Sequence, residues 1–346
     1  MKYIQIFLIL LFFSILNSKT ILDLKDNTFD DYGNGKVIYP DNPIFKKGIF
    51  DITEFKIEEN PNSYKFKIIV RTKINKIKNT GLLQSNNIND DFYLPLVQLY
   101  LVEKDDRNIG LKKLLPGVNA SLENNYSWNK VIVFTSIPSD FKSSLSSINH
   151  HLIQNVIFPK NIKYYKNSIT GIVSKNRIKL DKETGYSLIM LGHNFSNLRN
   201  NVYVIPVRSV SGQYNFGGGE QNILKRYNSN IIDLICPPEN SQEKMLSSYN
   251  QNLKKYAKII PYFKNKQNYV KLDKYFEIKE ISGYKIIINA GSKDNLKSGD
   301  ELIIDDEFIA VIKDVFPTLS IAEILNHKEM KNINKEMKIR KLTKEN

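Results

Sequence analysis

Apolar and polar positions alternate with a period of two along much of the chain. From Phe55 to Val70, FKIEENPNSYKFKIIV alternates on either side of Asn60-Pro61-Asn62-Ser63, which predicts a β-hairpin with one buried face. The stretch Phe92–Val102 departs from alternation. There Leu96, Val97, Leu99, Tyr100 and Leu101 form a nearly continuous apolar run, the pattern of a strand at the centre of a sandwich. Further strands are expected at Val131–Phe134, Ser168–Val173, Tyr186–Leu191 and Val204–Val210, with a long polar loop over Arg71–Asp91. Phe141, Leu145, Ile148, Leu152 and Val156 recur at helical spacing and predict a short amphipathic helix on the rim. A second helix is expected to open at Gln242 and to carry Met245, Leu246, Tyr249 and Leu253 on one face. From Phe276 the texture changes to short strands with tight glycine turns: Glu277–Ile288 around Ser282-Gly283, then Glu301–Ile304, Phe308–Val315 and Ser320–Leu325. These predict a small β-barrel or β-roll, with the charged tail Lys328–Asn346 fraying. The expected fold class is mainly β: an immunoglobulin-like β-sandwich over residues 19–265 with one or two short helices, then the barrel over 275–342.

The segment Phe29–Phe55, FDDYGNGKVIYPDNPIFKKGIFDITEF, interrupts these patterns with a polar turn. Asp30, Asp31, Gly33, Asn34 and Gly35 suit neither helix nor strand, because Gly is conformationally permissive and Asp and Asn side chains compete for backbone hydrogen bonds. Asp30 and Asp31 offer hard oxygens to a Ca²⁺ ion, with Asp26 or Asp51 as further donors, although the spacing is not that of an EF-hand. The competing reading is that both only cap the turn by accepting backbone N–H bonds. Tyr32, Tyr39, Tyr126 and Trp128 are the aromatics nearest to turns and are candidates for stacking on sugar rings. The competing reading of Trp128, and the one favoured because Trp is so often largely buried, is a sandwich-core residue.

Composition narrows the classes. An apolar run from Ile4 to Leu16, broken only by Gln5 and Ser14 and preceded by Lys2, reads as a signal peptide over residues 1–18, with an uncleaved anchor as the alternative. The single cysteine, Cys236, rules out an internal disulfide, so an exported chain rests on its core alone. The net charge of +14 comes from Lys spread evenly, without the basic run and interleaved aromatics of a nucleic-acid groove. It allows a diffuse attraction to acidic envelope surfaces. Gly217–Gly219 lacks the Lys-Ser or Lys-Thr of a phosphate loop, and there is no Ser-His-Asp motif or His-Glu-x-x-His. Adjacent His150 and His151 point in different directions from a helix and read as solvated surface rather than a metal or haem pair.

Two blocks carry a resemblance. The first is the opening segment, with its Asp-Asp-x-Gly turn, Tyr39-Pro40, Phe45, Gly48 and Phe50-Asp51-Ile52, followed downstream by Leu115-Pro116-Gly117 and the lone Trp128. The second is Val202–Tyr249, with a strand, Phe216-Gly217-Gly218, Ile231-Ile232-Asp233-Leu234, Pro237 and a helix opening at Gln242. In this order they resemble the carbohydrate-binding-module-like C-terminal domain of glucodextranase-type and amylopullulanase-type enzymes, a β-sandwich related to DOMON domains. The resemblance spans about Leu22 to Phe263. It departs from the family at Phe29, which stands where the family's turn begins with Gly, and at Gly192-His193-Asn194, which replaces an Asp-Tyr-Gly turn. The C-terminal Ser-Gly and Leu-Lys-Ser-Gly-Asp turns resemble those of small barrels in envelope and flagellar-assembly proteins. The resemblance implies a non-catalytic exported protein, in the periplasm or cell envelope, that binds polysaccharide or scaffolds envelope proteins, with no cofactor unless Ca²⁺. The alternative is a periplasmic small-molecule or haem carrier of DOMON type, which would need an enclosed apolar pocket with an axial His or Met.

Overall fold

The computed structural model describes residues 18–77, 92–104, 110–195, 202–220, 227–238, 240–264, 276–294, 296–304, 308–325, 333–335 and 337–341. The expected signal peptide therefore lies outside the described residues except for Ser18, as does most of the expected Arg71–Asp91 loop. The chain divides into two compact units, residues 1–265 and 266–346. Strands are numbered along the chain.

In the first unit, one sheet holds β1 (Lys19–Lys25), β2 (Ile52–Glu59), β3 (Ser63–Val70), β8 (Lys160–Tyr165) and β9 (Ser168–Ser174), in the order β1-β2-β3-β9-β8. The predicted hairpin is β2–β3, in register from Ile52 opposite Val70 to Glu59 opposite Tyr64. The other sheet holds β4 (Pro95–Lys104), β6 (Tyr126–Phe134), β7 (Val156–Ile157), β10 (Gly185–Gly192) and β11 (Ile231–Leu234), in the order β11-β10-β4-β6-β7, with β13 (Tyr262–Phe263) pairing β10. β5 (Ala120–Leu122) pairs in parallel with β12 (Ala257–Ile259).

Side chains from both sheets meet in one core. Phe55, Ile57, Phe66 and Ile68 of the first sheet pack with Val97, Leu99, Ile132, Phe134, Leu188 and Met190 of the second. The second sheet has a further apolar layer on its other face, where Leu96, Tyr100, Val102, Trp128, Val131 and Val133 pack under Leu114, Leu115 and Val118 and under two helices. These are α1 (Pro138–Asn149), which contributes Phe141 and Leu145, and α2 (Gln242–Leu246), which contributes Met245 and Leu246. Burial on both faces explains why β4 reads as a continuous apolar run, whereas the half-covered β3 alternates strictly. Pro138 begins α1, where a missing N–H costs no helical bond. The helical spacing ends at Asn149. His150–Asn155 forms a 3₁₀ turn with both histidines exposed, and Val156 belongs to β7.

Two expected elements differ. Val204–Val210 is no regular strand: it makes only single bridges, His193 with Val204 and Val207 with Phe216. Pro206 cannot donate, and the Val207 N–H is taken by the Asn230 side chain at 2.8 Å. The second helix stops at Leu246 rather than reaching Leu253, which is 61% exposed. Ser248 Oγ bonds the Met245 carbonyl and Asn250 Oδ1 accepts from the Leu253 N–H, the local competition that ends helices.

The second unit is a closed barrel of β14 (Phe276–Ser282), β15 (Lys285–Ile288), β16 (Glu301–Ile304), β17 (Phe308–Val315), β18 (Ser320–Ile324) and β19 (Lys338–Lys341), in the order β14-β15-β18-β17-β16-β19. Closure comes from the tail that was expected to fray, since β19 pairs with both β14 and β16. Ile339 of that strand is fully buried, and pairing on both sides closes the sheet.

Candidate functional sites: an acidic nest and an aromatic groove

The two sequence blocks meet in space. Gly33 N–H donates to the Ile232 carbonyl at 2.8 Å, and Ile38 and Gly217 exchange two backbone bonds at 3.1 and 2.8 Å. Gly218, with φ +85°, lets this crossing close: a Cβ there would lie 1.7 Å from the Lys36 carbonyl oxygen. Gln242, from α2, donates to the carbonyls of Asp30 and Gly33 and accepts from the Leu234 N–H at 2.8 Å.

This stitching gathers carboxylates. Asp30, Asp51 and Asp233 each bring an oxygen to a common point, all within 4.8 Å of one another. Asp51 and Asp233 are fully buried, while Asp26 and Asp30 are half-buried. Asp233 is held by the backbone N–H groups of Ile52 and Leu234. Asp51 Oδ2 accepts from Arg71 Nε and from the Phe29 N–H. Three buried oxygens have no hydrogen-bond partner: Asp26 Oδ2, Asp30 Oδ1 and Asp51 Oδ1. Burial and then the charge of Asp30 push the Asp26 carboxyl up to about 8, and burial and then Asp51 push Asp30 up to about 6. Burial likewise raises Asp51, and burial with Asp26 raises Asp233 well above the ordinary carboxylate range.

Asp31 has a different task. It is buried, its Oδ2 accepts from the Tyr39 hydroxyl and from the Gly48 N–H, and its Oδ1 lies 3.7 Å from Arg71. Of the two aspartates expected to serve an ion, the structure thus brings only Asp30 to the common point, while Asp31 pins the chain as a turn-capping acid does. Phe29 adopts a left-handed backbone conformation that favours glycine. Its φ is +69°, a conformation that costs an L-residue about 1–2 kcal/mol. Its ring stays outside, with the Arg71 guanidinium 4.1 Å from the centroid.

The aromatic candidates do not form a platform. Trp128 is 1% exposed, meets Tyr100 edge to face, and donates from Nε1 to the Lys113 carbonyl at 3.0 Å. Tyr126 is buried against Phe263, and Tyr39 lies between Phe50 and Phe216. Trp128 and Tyr126 therefore present no free face. Tyr32 alone of the four is exposed. His193, in the turn that departs from the family, is fully buried, stacked on Phe92 at 4.6 Å with Nε2 3.0 Å from Thr135 Oγ1.

An open groove of about 1090 Å³ lies instead beside the edge strand β8, bounded by the end of β6, the start of α1 and Tyr93. Tyr93 and Tyr164, both lining it, stack directly on each other with centroids 4.1 Å apart and planes within 8°. Tyr164 Oη is buried without a hydrogen-bond partner. Tyr165, next on the strand, is 67% exposed, and Ser136, Asn161, Lys163 and Thr170 supply polar groups. Neither the tyrosines nor Asp233 stood out in the sequence reading. The signal for Asp233 was available, as an acid inside the apolar run Ile231-Ile232-Asp233-Leu234.

The fold of the first unit is thus two packed sheets with an open groove at an edge strand. The model of the family described as the C-terminal binding module, SLH-like, of glucodextranase matches residues 21–261, and the chain belongs to this family. No curated protein matches the chain.

Proposed function

We propose that this protein is an exported, non-catalytic glycan-binding module of the cell envelope and that the glycan lies in the groove along β8. Family membership over residues 21–261 is the observation that carries the reading. The groove gives it a place: sugar rings stack their C–H faces on aromatic rings while polar neighbours satisfy hydroxyls, and Tyr165 stands exposed beside Ser136, Asn161 and Thr170. Its described lining is aromatic and polar, with Tyr93, Tyr164 and Tyr165 beside Ser136, Asn161 and Thr170, the composition of a sugar-binding surface. Its openness favours a chain-like ligand over an enclosed small molecule or haem. Among the described residues no helix is long and apolar enough to cross a membrane.

The test is retention of the purified mature chain on insoluble polysaccharides and peptidoglycan. Because the chain carries a net charge of +14, binding is scored in 1 M salt, where the Debye length is about 3 Å. Retention that survives salt and is released by soluble glycan is expected. Retention abolished by salt on every matrix would reduce the interaction to charge and overturn the reading.

A further inference from the structure

We propose that Asp30, Asp51 and Asp233 bind a hard divalent cation, calcium, which staples the opening segment to β11. The three carboxylates converge within 4.8 Å and come from segments far apart in sequence, so an ion between them would cross-link the turn at Asp30, the start of β2 and the edge strand β11. The donors are all oxygen, with no imidazole or thiolate among the three, which suits calcium and disfavours zinc or copper.

The second observation is the set of oxygens left over. Asp51 is fully buried, yet its Oδ1 accepts no hydrogen bond, and Asp26 Oδ2 and Asp30 Oδ1 are in the same condition. Buried polar atoms of native proteins are nearly always partnered, and a carboxylate oxygen is an acceptor that needs a donor or a cation. Protein charge does not supply it. Among the described residues Arg71 is the cation that pairs with this group of acids, and it is committed to Asp51 Oδ2 and to Asp31. Asp30 is the half-buried member of the three, while Asp51 and Asp233 are fully buried. This proposal stands apart from the glycan reading, since the nest and the groove share no residue.

The experiment uses the full mature chain, stripped with EDTA and dialysed, then titrated with CaCl₂ by calorimetry, with bound metal counted by mass spectrometry. Melting is followed in CaCl₂, in MgCl₂, in NaCl of equal ionic strength and in EDTA. One calcium per chain is expected, with the unfolding constant falling about 100-fold when calcium stands at 100 times its Kd. Asp30→Asn removes a charge from the crowded carboxylates, so it should melt no lower than wild type in EDTA and should lose both the ion and the shift. The proposal is overturned by identical melting in calcium and EDTA, by an equal shift in NaCl, or by Asp30→Asn binding calcium as wild type does. An equal response to magnesium would overturn the choice of calcium.

Discussion

His193 gives the fold a pH dependence that can be worked out from its surroundings. The ring lies in the core between Phe92 and Tyr203, and burial lowers its pKa from 6.5 to about 3, with only the Tyr93 backbone pulling the other way. A base with a lowered folded-state pKa binds more protons when unfolded, so its contribution is intact above pH 6.5 and is lost as pH falls towards 3. At about 1.4 kcal/mol per pH unit, the loss is about 2 kcal/mol by pH 5. Asp26 and Asp30 act in the opposite sense: their pKa values, raised to about 8 and about 6, withdraw stability as pH rises from about 4 through those values. The His193 contribution is therefore read as a difference. His193→Gln keeps a donor that can reach Thr135 but does not titrate. Urea unfolding of wild type and variant at pH 7.5 and pH 5 should show the wild type losing about 2 kcal/mol relative to the variant between the two. A gap of the same size at both pH values would refute the reasoning.

Other expectations follow from packing and from the chain's start. Trp128→Ala should cost about 3–5 kcal/mol in urea unfolding, because it empties a core site and strands the Lys113 carbonyl; loss of glycan retention at unchanged stability would place the ring at the surface instead. Gly218→Ala should prevent the crossing of the opening segment and lower the midpoint by several degrees, since its Cβ would collide with backbone 1.7 Å away; a midpoint equal to wild type would show that the crossing is dispensable. Export with removal of residues 1–18 would leave a mature chain beginning near Lys19, and mass spectrometry finding intact Met1 would indicate an anchored form.

Most of the fold was legible because its strands carry their pattern locally. The β2–β3 hairpin shows the period of two, and the continuous apolar run of β4 marks a strand covered on both faces. β19 was hidden because Lys338, Arg340 and Lys341 surround Ile339, so charged composition masked a position that is fully buried. Val204–Val210 reads as a strand because Val204, Ile205 and Val207 are β-prone and apolar, and all three are buried, but Asn230 and Pro206 remove the ladder bonds that a strand requires. The site was less legible, for a physical reason. Choosing aromatics by nearness to turns cannot foresee that Trp128 packs edge to face on Tyr100 and donates its Nε1–H to the Lys113 carbonyl. Equally, the nest joins Asp30 and Asp51 to Asp233, a pairing that exists only once β11 lies beside the opening turn.

The claim that the groove along β8 holds the glycan is tested most directly through Tyr165, whose exposed ring can be removed with little effect on stability. Wild type and Tyr165→Ala, shown to melt within about 1 °C of each other, are titrated by calorimetry with soluble fragments of whichever polysaccharide retains the wild type. A tenfold or greater loss of affinity in Tyr165→Ala is expected, the equivalent of about 1.4 kcal/mol and within the range of one stacked ring. Equal affinity in the two proteins would contradict the assignment of the glycan to this groove.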